Sequence, residues 1–293
     1  MNDTVMALPA PAGVIRRRAA REFRVLPGFG LTIGCTVLYV CLIVLIPLSA
    51  AFWRSAELGP VKFWHVVTAP RVLASLELSF GAALLAALIN AVFGFIIAWA
   101  LTRQSFPGRR LFDAIIDLPF ALPTAVAGIA LTALYAPNGW IGQLLAPLGI
   151  KVAYTRLGIV VALAFVSLPF VVRTLQPVLG DLDREVERAA ETLGASKLPS
   201  FLWVVLPSIW PTLLTGAALG FSRAVGEYGS VIFIAGNIPK VSEIAPLMIM
   251  TKLEQYQYSQ ATAIAVVMLV ASFALMLGIN GLQLWAQRRR RSR

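Results

Sequence analysis

Long apolar runs separated by short polar stretches are the main pattern along this chain. Six of them approach or exceed the roughly 20 residues that an α-helix needs to cross a membrane. They cover about 31–53, 74–102, 116–136, 157–176, 208–236 and 261–285. The pattern predicts an all-α, polytopic membrane protein with about six transmembrane helices. The fourth run is the shortest, and the fifth is interrupted by Arg223 and Glu227.

The basic residues predict how these helices are oriented. If the N-terminus lies in the cytoplasm, most of the 25 Lys and Arg residues fall at cytoplasmic ends, including those within 16–24 and 288–293. Cytoplasmic loops of membrane proteins carry such an excess. We therefore expect both termini in the cytoplasm, with a tail over 1–30, one transmembrane domain over 31–285 and a basic tail over 286–293.

The most charged stretch, 177–207, lies between the fourth and fifth runs. Asp181 and Asp183 suit the start of a helix, the residues after them are good helix formers, and Gly194 suits a helix end. We expect a short helix outside the membrane that leads into the fifth span.

Composition limits the classes of function. Charged residues make up 13% of the chain and hydrophobic residues 58%, whereas a soluble domain carries about 25% charged residues. The formal net charge of +11 therefore fits anionic lipid headgroups better than nucleic acid. The sequence has one histidine and no phosphate-binding or catalytic motif, so we expect no catalytic site and no metal or cofactor bound by this chain.

Arg223 and Glu227 are the sharpest feature inside an apolar run. Ionisable groups at membrane depth are costly and persist when they are paired or face a polar cavity. At a spacing of four the two side chains can reach each other. Two interpretations stay open. In the first, the ion pair only fixes how the helix packs. In the second, Arg223 also contributes positive potential to an anion path, with Ser222 as a neighbouring polar group.

Two further patterns in the apolar runs each allow two interpretations. Pro119, Pro123 and Thr124 in the third run predict either a broken helix end beside such a path or a plain kink. Gly216 and Gly220 form a G-x-x-x-G spacing that allows close helix approach, within this subunit or at a subunit interface.

The stretch AAETLGASKLPSFLWVVLP at 189–207 resembles the EAA signature of binding-protein-dependent ABC importer permeases. That signature is EAA, three residues, Gly, nine residues, an aliphatic residue, any residue and Leu-Pro. The match ends in Val204, Val205, Leu206 and Pro207. The departure is Arg188, which stands where the family usually has Glu.

More of the chain, from about 24 to 285, is similar to the T-type permease subunit of sulfate/thiosulfate importers. The segments RVLPGFGLT, LTRQSFPGRRLFDAIIDLPFALPTAVAGIAL, TRLGIVVALAFVSLPFVVRTLQPVL and FSRAVGEYGSVIFIAGNI carry this resemblance. It implies a MetI-like permease of a bacterial inner membrane, with a second homologous permease, two ATP-binding subunits and a periplasmic sulfate/thiosulfate-binding protein as partners. ATP would be used by the partner subunit.

The resemblance also implies that the short helix within 181–194 is a coupling helix, seated in a groove of the ATP-binding subunit. The residues expected in this coupling role are Glu187, Arg188, Ala189, Ala190, Glu191, Gly194, Leu206 and Pro207.

Three alternatives stay open. The first is a cargo of molybdate or another oxyanion, since the molybdate permease shares the Arg-Ala-x-Gly-Glu-aromatic-Gly element. A secondary transporter or channel without an ATPase is the second alternative, and the segment 177–207 has no evident role in such a carrier. A membrane-embedded enzyme is the third, weakened by the missing catalytic motifs.

Overall fold

The computed structural model describes residues 29–291 except for 184, 186, 187, 190, 191, 193 and 195. Every regular element within these residues is helical, as the apolar pattern predicts. The helices are α1 Phe29–Val40, α2 Ile46–Ala56, α3 Gly59–Val67, α4 Pro70–Arg103, α5 Arg109–Ile116, α6 Leu118–Ala121, α7 Thr124–Tyr135, α8 Trp140–Leu145, α9 Arg156–Asp181, α10 Lys197–Ser200, α11 Leu206–Val225, α12 Val231–Ile234, α13 Ala245–Glu254 and α14 Tyr258–Arg291.

Five stretches within the described residues are long and apolar enough to cross a membrane. They are Gly30–Ala56, Pro70–Arg103, Arg156–Asp181, Lys197–Val225 and Tyr258–Gly281. The first and fourth each contain a π-helical turn, at Cys41–Leu45 and Phe201–Val205. The chain is a multi-pass membrane protein.

The third predicted span, 116–136, is not one continuous helix. It consists of α6 and α7, separated by Leu122 and Pro123, whose ψ angles of 135° and 133° are extended. A residue that precedes proline is pushed out of the helical region by the proline ring. Proline also has no N–H to continue a helix. Of the two interpretations, the broken helix is therefore the one found.

The fifth predicted span, 208–236, ends early. Helix α11 stops at Val225, and the chain passes through Gly226 to Ser230 before the short helix α12 begins. At the other end of the chain, α14 continues to Arg291 through residues that the sequence assigns to a tail.

The chain divides into two units, residues up to Leu48 and residues from Ser49 onward. In the first unit, the described residues form helix throughout, and the large apolar side chains on α1 are exposed, as suits contact with lipid. In the second unit, α4, α9 and α11 pack against one another and contribute most of the buried residues.

Small residues let these three helices approach closely. Gly216 of α11 faces the backbone of Val171 in α9, and a Cβ added there would lie 3.1 Å from the Val171 Cα. Gly220 faces Ser167 of the same helix. The G-x-x-x-G spacing therefore serves packing within this subunit. Between α4 and α9, the buried Asn90 Nδ2 donates to the Ala164 carbonyl and to Ser167 Oγ, both at 2.9 Å.

Candidate functional site

Of the two acidic residues predicted to suit the start of the helix after α9, Asp183 is found in that role. Asp181 is the last residue of α9. The Asp183 Oδ1 accepts a hydrogen bond from the Glu185 backbone N–H at 2.9 Å. Gly194 has φ +87°, the left-handed conformation typical of a residue that ends a helix.

The signature residues of this segment are exposed where they are described. Arg188 and Ala189 are helical, and both are exposed, as is Gly194. Glu187, Ala190 and Glu191 lie outside the described residues, so their predicted coupling role stays a prediction.

The chain that follows Gly194 is anchored on the helical core. Phe201 lies between Phe95 and Trp99 of α4, with ring centroids 5.7 and 5.9 Å away. Leu206 packs against the core formed by α4, α9 and α11, and Pro207 stands in the first turn of α11, directly after the π-helical turn Phe201–Val205. The exposed segment therefore connects directly to two packed helices.

The predicted ion pair of Arg223 and Glu227 is present, although Glu227 lies beyond the end of α11. Arg223 Nη1 is 2.7 Å from Glu227 Oε2. The other carboxylate oxygen accepts hydrogen bonds from the N–H and the hydroxyl of Ser230, both at 2.9 Å. The Glu227 side chain is 2% exposed and that of Arg223 is 33% exposed. A buried carboxylate is thus fully satisfied, beside a cation that reaches the surface.

Ser230 is the partner that the sequence analysis missed. Its N–H and hydroxyl both donate to Glu227, so the carboxylate holds the turn before the short helix α12 as well as pairing with Arg223. The spacing of three between Glu227 and Ser230, in a stretch with Gly226 and Gly229, is the signal that could have indicated this contact.

Thr124, the first residue of α7, lies against the break in the fifth span. The half-buried Thr124 is so close to Gly229 that any side chain at 229 would collide with its Oγ1. One turn along α7, Gly128 lies against the Ser230 backbone in the same way. Two helix breaks, one in each of the predicted third and fifth spans, therefore meet next to the ion pair.

Ser222 lies on a different side of α11 from the core residues. It is exposed, and so are Thr215, Leu219 and Gly226, which share its helix face. This face is partly polar although it belongs to a membrane-spanning helix. The structure brings Arg223, Glu227 and Thr124 together, with Ser222 beside Arg223 on this exposed face.

The described residues contain no group of three or more His, Cys, Asp or Glu side chains that could hold a metal ion. A cavity of about 330 Å³ near the start of α9 is lined by Glu77, Arg156 and Lys240 together with apolar residues of α4. Arg156 is committed there to the carbonyl oxygens of Lys240 and Val241.

The family described as "Binding-protein-dependent transport system inner membrane component" matches this chain over residues 90–292. The sulfate transport system permease protein CysT of Salmonella typhimurium is 53% identical over 265 residues, which cover 90% of this chain and 96% of that protein. CysT of Synechocystis is 50% identical over 253 residues, which cover 86% of this chain and 88% of that protein.

Among solved structures, that of a bacterial alginate ABC transporter in complex with an alginate pentasaccharide-bound periplasmic protein contains a similar chain. Its TM-score is 0.72 at 14% identity, with 86% of this chain and 92% of that chain covered. At this identity the likeness is one of fold.

Proposed function

We propose, because this chain belongs to the binding-protein-dependent transport system inner membrane component family, that it is the permease subunit of an ATP-driven sulfate importer. Relatives whose names specify sulfate transport are 50–53% identical over nearly the whole chain, and this observation carries the proposal. Thiosulfate, an anion of similar shape and charge, would use the same path.

The partners follow from the family and from the exposed segment between α9 and α10. A binding protein outside the cell delivers the anion, and a second permease of the same family completes the path. Two ATP-binding subunits dock inside the cell. The exposed Arg188, Ala189 and Gly194, with their neighbours in the signature, form the contact with one of them. This arrangement has both termini in the cytoplasm, in agreement with the distribution of Lys and Arg.

The transport mechanism is alternating access, and this subunit performs no covalent chemistry. Binding and hydrolysis of ATP by the partner subunits move the coupling segment, and the permease pair opens first outward and then inward. Arg223 contributes positive potential to the anion path. Its guanidinium suits an oxyanion because it offers several N–H donors in one plane. Ser222 and Thr124 are the polar neighbours that would line this path.

The test is transport by the complete complex in proteoliposomes, with the binding protein outside and ATP inside. We expect uptake of labelled sulfate that requires ATP and is inhibited by excess unlabelled thiosulfate. Uptake that continues without ATP would favour a secondary transporter instead. Stronger competition by molybdate than by sulfate would shift the substrate to molybdate.

Two glycines give a matched test of the coupling segment. Gly194 and Gly149 both have positive φ, +87° and +70°, and neither has an atom near the position where a Cβ would stand. Replacing either glycine with valine therefore adds a similar backbone strain of about 1–2 kcal/mol. We expect Gly194→Val to reduce co-purification of the ATP-binding subunit and Gly149→Val to leave it unchanged. Equal effects of the two substitutions would contradict the coupling role.

A further inference from the structure

Arg173 of α9 uses every N–H of its guanidinium. Nε and Nη2 donate to the two carboxylate oxygens of Asp117 at 2.8 and 2.5 Å. Nη1 donates to Asp113 Oδ1 and Gln176 Oε1 at 2.7 and 2.6 Å. Nη2 also donates to the Asp113 carbonyl at 2.9 Å, and Gln176 Nε2 returns a bond to Asp113 Oδ1. We call these four residues the Arg173 clamp.

The clamp joins two parts of the chain that are far apart in sequence. Asp113 lies in α5 and Asp117 at the junction of α5 with α6. Close by, Phe120 of α6 contacts Phe170 of α9 edge-to-face, with ring centroids 5.2 Å apart. The short helices before the third span are therefore attached to α9 by a saturated polar contact and by an aromatic one.

The Asp113 carboxylate of the clamp is ionised near neutral pH. Asp113 lies outside the membrane-spanning helices, and its pKa is lowered by the hydrogen bond from Gln176, then by those from Arg173 and by the charges of Arg173 and Arg109, against some opposing burial. The carboxylates are about half exposed, so a single pair would be worth only about 0.2–1 kcal/mol. The rigidity comes from five bonds that share one planar group, because none can be lost without misaligning the others.

Helix α9 connects the Arg173 clamp to the coupling segment. Arg173 lies about two helical turns before the end of α9 at Asp181. The chain then enters the exposed segment that contains Arg188 and Gly194. Movement of that segment therefore acts on the end of α9 that carries Arg173.

Helix α6 connects the Arg173 clamp to the ion pair of Arg223 and Glu227. Helix α6 is followed at once by the break at Leu122 and Pro123 and then by α7, whose Thr124 lies against Gly229. Gly229 stands two residues after Glu227. A continuous path, along the chain in α9 and between α6 and α7, and through side-chain contacts at the clamp and at Gly229, thus runs from the coupling segment to the place where the two helix breaks meet.

We infer that the Arg173 clamp couples the movement of α9 to the break between α6 and α7, and that it stays closed throughout the transport cycle. The inference rests on the proposed function, in which the coupling segment is driven by an ATP-binding subunit. A guanidinium with all its donors engaged cannot open without exposing two carboxylates to each other, so the clamp acts as a rigid link. Arg173 is accordingly a positioning residue and does not contact the anion.

The experiment measures the ATP hydrolysed per sulfate transported by the complete importer in proteoliposomes. Arg173→Gln should leave the complex assembled and hydrolysing ATP while uptake falls, so that this ratio rises about 3- to 30-fold. Arg110→Gln is the matched control. It removes the same charge from the same cavity, but among the described residues Arg110 has no partner. Its ratio should equal that of the wild type.

Exchanging the charges, with Arg173→Asp and Asp117→Arg together, should restore part of the coupling, because the contact and not the individual residue is required. If Arg173→Gln leaves the ATP hydrolysed per sulfate transported unchanged, the inference about the clamp is wrong and the proposed function is not affected. A wild-type complex without ATP-driven uptake would overturn the proposed function as well, so the two failures are distinguishable.

A covalent link tests directly whether the clamp stays closed. Asp117→Cys and Arg173→Cys are combined in a chain with Cys35→Ser and Cys41→Ser, and the two thiols are joined by a short bis-methanethiosulfonate reagent. A rigid link predicts that the cross-linked transporter regains sulfate uptake relative to the unlinked double variant. Blocked uptake after cross-linking would mean that the contact opens during the cycle, and the inference would be wrong.

Discussion

Arg173 and Arg223 are both arginines in membrane-spanning helices paired with carboxylates, yet their surroundings differ in a way that separates their roles. Arg173 faces two carboxylates and an amide oxygen, and all of its N–H donors are used. Arg223 has a single ion pair, from Nη1 to Glu227, among the described residues. About a third of each side chain is exposed, so exposure does not distinguish them.

The difference lies in spare hydrogen-bonding capacity and in net charge. The Arg173 clamp has one positive and two negative charges, and its guanidinium has no donor left to bind an anion. At Arg223 the charges balance, and the second oxygen of Glu227 is already occupied by Ser230. Most of the Arg223 donors therefore remain available to an oxyanion. The same residue type serves as a fixed link in one helix and as a candidate ligand-facing cation in the other.

The largest effect on sulfate uptake is expected when the pair of Arg223 and Glu227 is neutralised. Arg223→Ala alone should abolish sulfate uptake, but it also leaves Glu227 buried without its cation, at a cost of about 3–5 kcal/mol. The combination of Arg223→Met with Glu227→Gln avoids this cost, since glutamine keeps an acceptor for Ser230. We expect uptake to stay about 10- to 150-fold below wild type, because a charged hydrogen bond to the anion is worth about 1.5–3 kcal/mol.

Thr215→Val is the control for the Arg223 variants. Thr215 lies on the same exposed face of α11, but its hydroxyl donates to the Pro211 carbonyl of its own helix, so uptake should remain close to wild type. If the double variant transports sulfate normally, the pair only pins helix packing, and Arg223 has no role in the anion path.

The contact that holds both arginine sites in place is the packing of α9 on α11. Gly216→Leu should reduce the amount of folded chain, because a leucine side chain would push into the Val171 backbone, and overpacking of this kind costs about 1–3 kcal/mol. Gly278→Leu is the matched control, since Gly278 lies in α14 with no neighbouring atom within 4 Å. The measurement is the yield of monodisperse protein after detergent extraction. Equal yields would show that Gly216 is not a tight contact.

Much of the fold follows from the sequence because a membrane imposes a length on each helix. Apolar runs predicted four of the six spans to within several residues, and the EAA-like signature marked the exposed segment before α10. The same logic failed at 116–136 and after Val225. At these two places the helix ends are decided by side-chain hydrogen bonds and by the geometry of Pro123. Neither can be predicted from a count of apolar residues.

The site was harder to predict than the fold, for a related reason. The Arg223 and Glu227 pair is local, and a spacing of four was enough to indicate it. The Arg173 clamp joins residues 56 and 60 positions apart. Arg173 lies within α9, in the predicted fourth span, and residues 157–176 include no acidic side chain that could pair with it. The available signal was charge at similar depth near the inner ends of two predicted spans, which indicates pairing.

The smallest expected effect is on the pH dependence of the clamp, and it concerns Asp113. Its pKa is lowered in the folded protein, by the Gln176 hydrogen bond first and by Arg173 and Arg109 after it. A carboxylate of this kind contributes stability that is fully present above its unfolded pKa of about 3.9 and is lost as the pH falls through the lower folded value. The contribution of Asp113 should therefore be constant from about pH 8 down to about pH 5.

Thermal unfolding of the detergent-solubilised chain and of its Asp113→Asn variant measures this contribution. The wild type should melt higher at neutral pH by an amount that corresponds to less than about 1 kcal/mol, since the Asp113 side chain is 43% exposed. Below about pH 4 the difference in melting temperature should begin to shrink, and it should vanish only below the lowered folded pKa, where protonated Asp113 no longer pairs with Arg173. Convergence already near pH 6, or a difference that does not shrink at all below about pH 4, would mean that Asp113 does not hold Arg173 as a charge. In that case the rigidity assigned to the clamp would have to come from Asp117 alone.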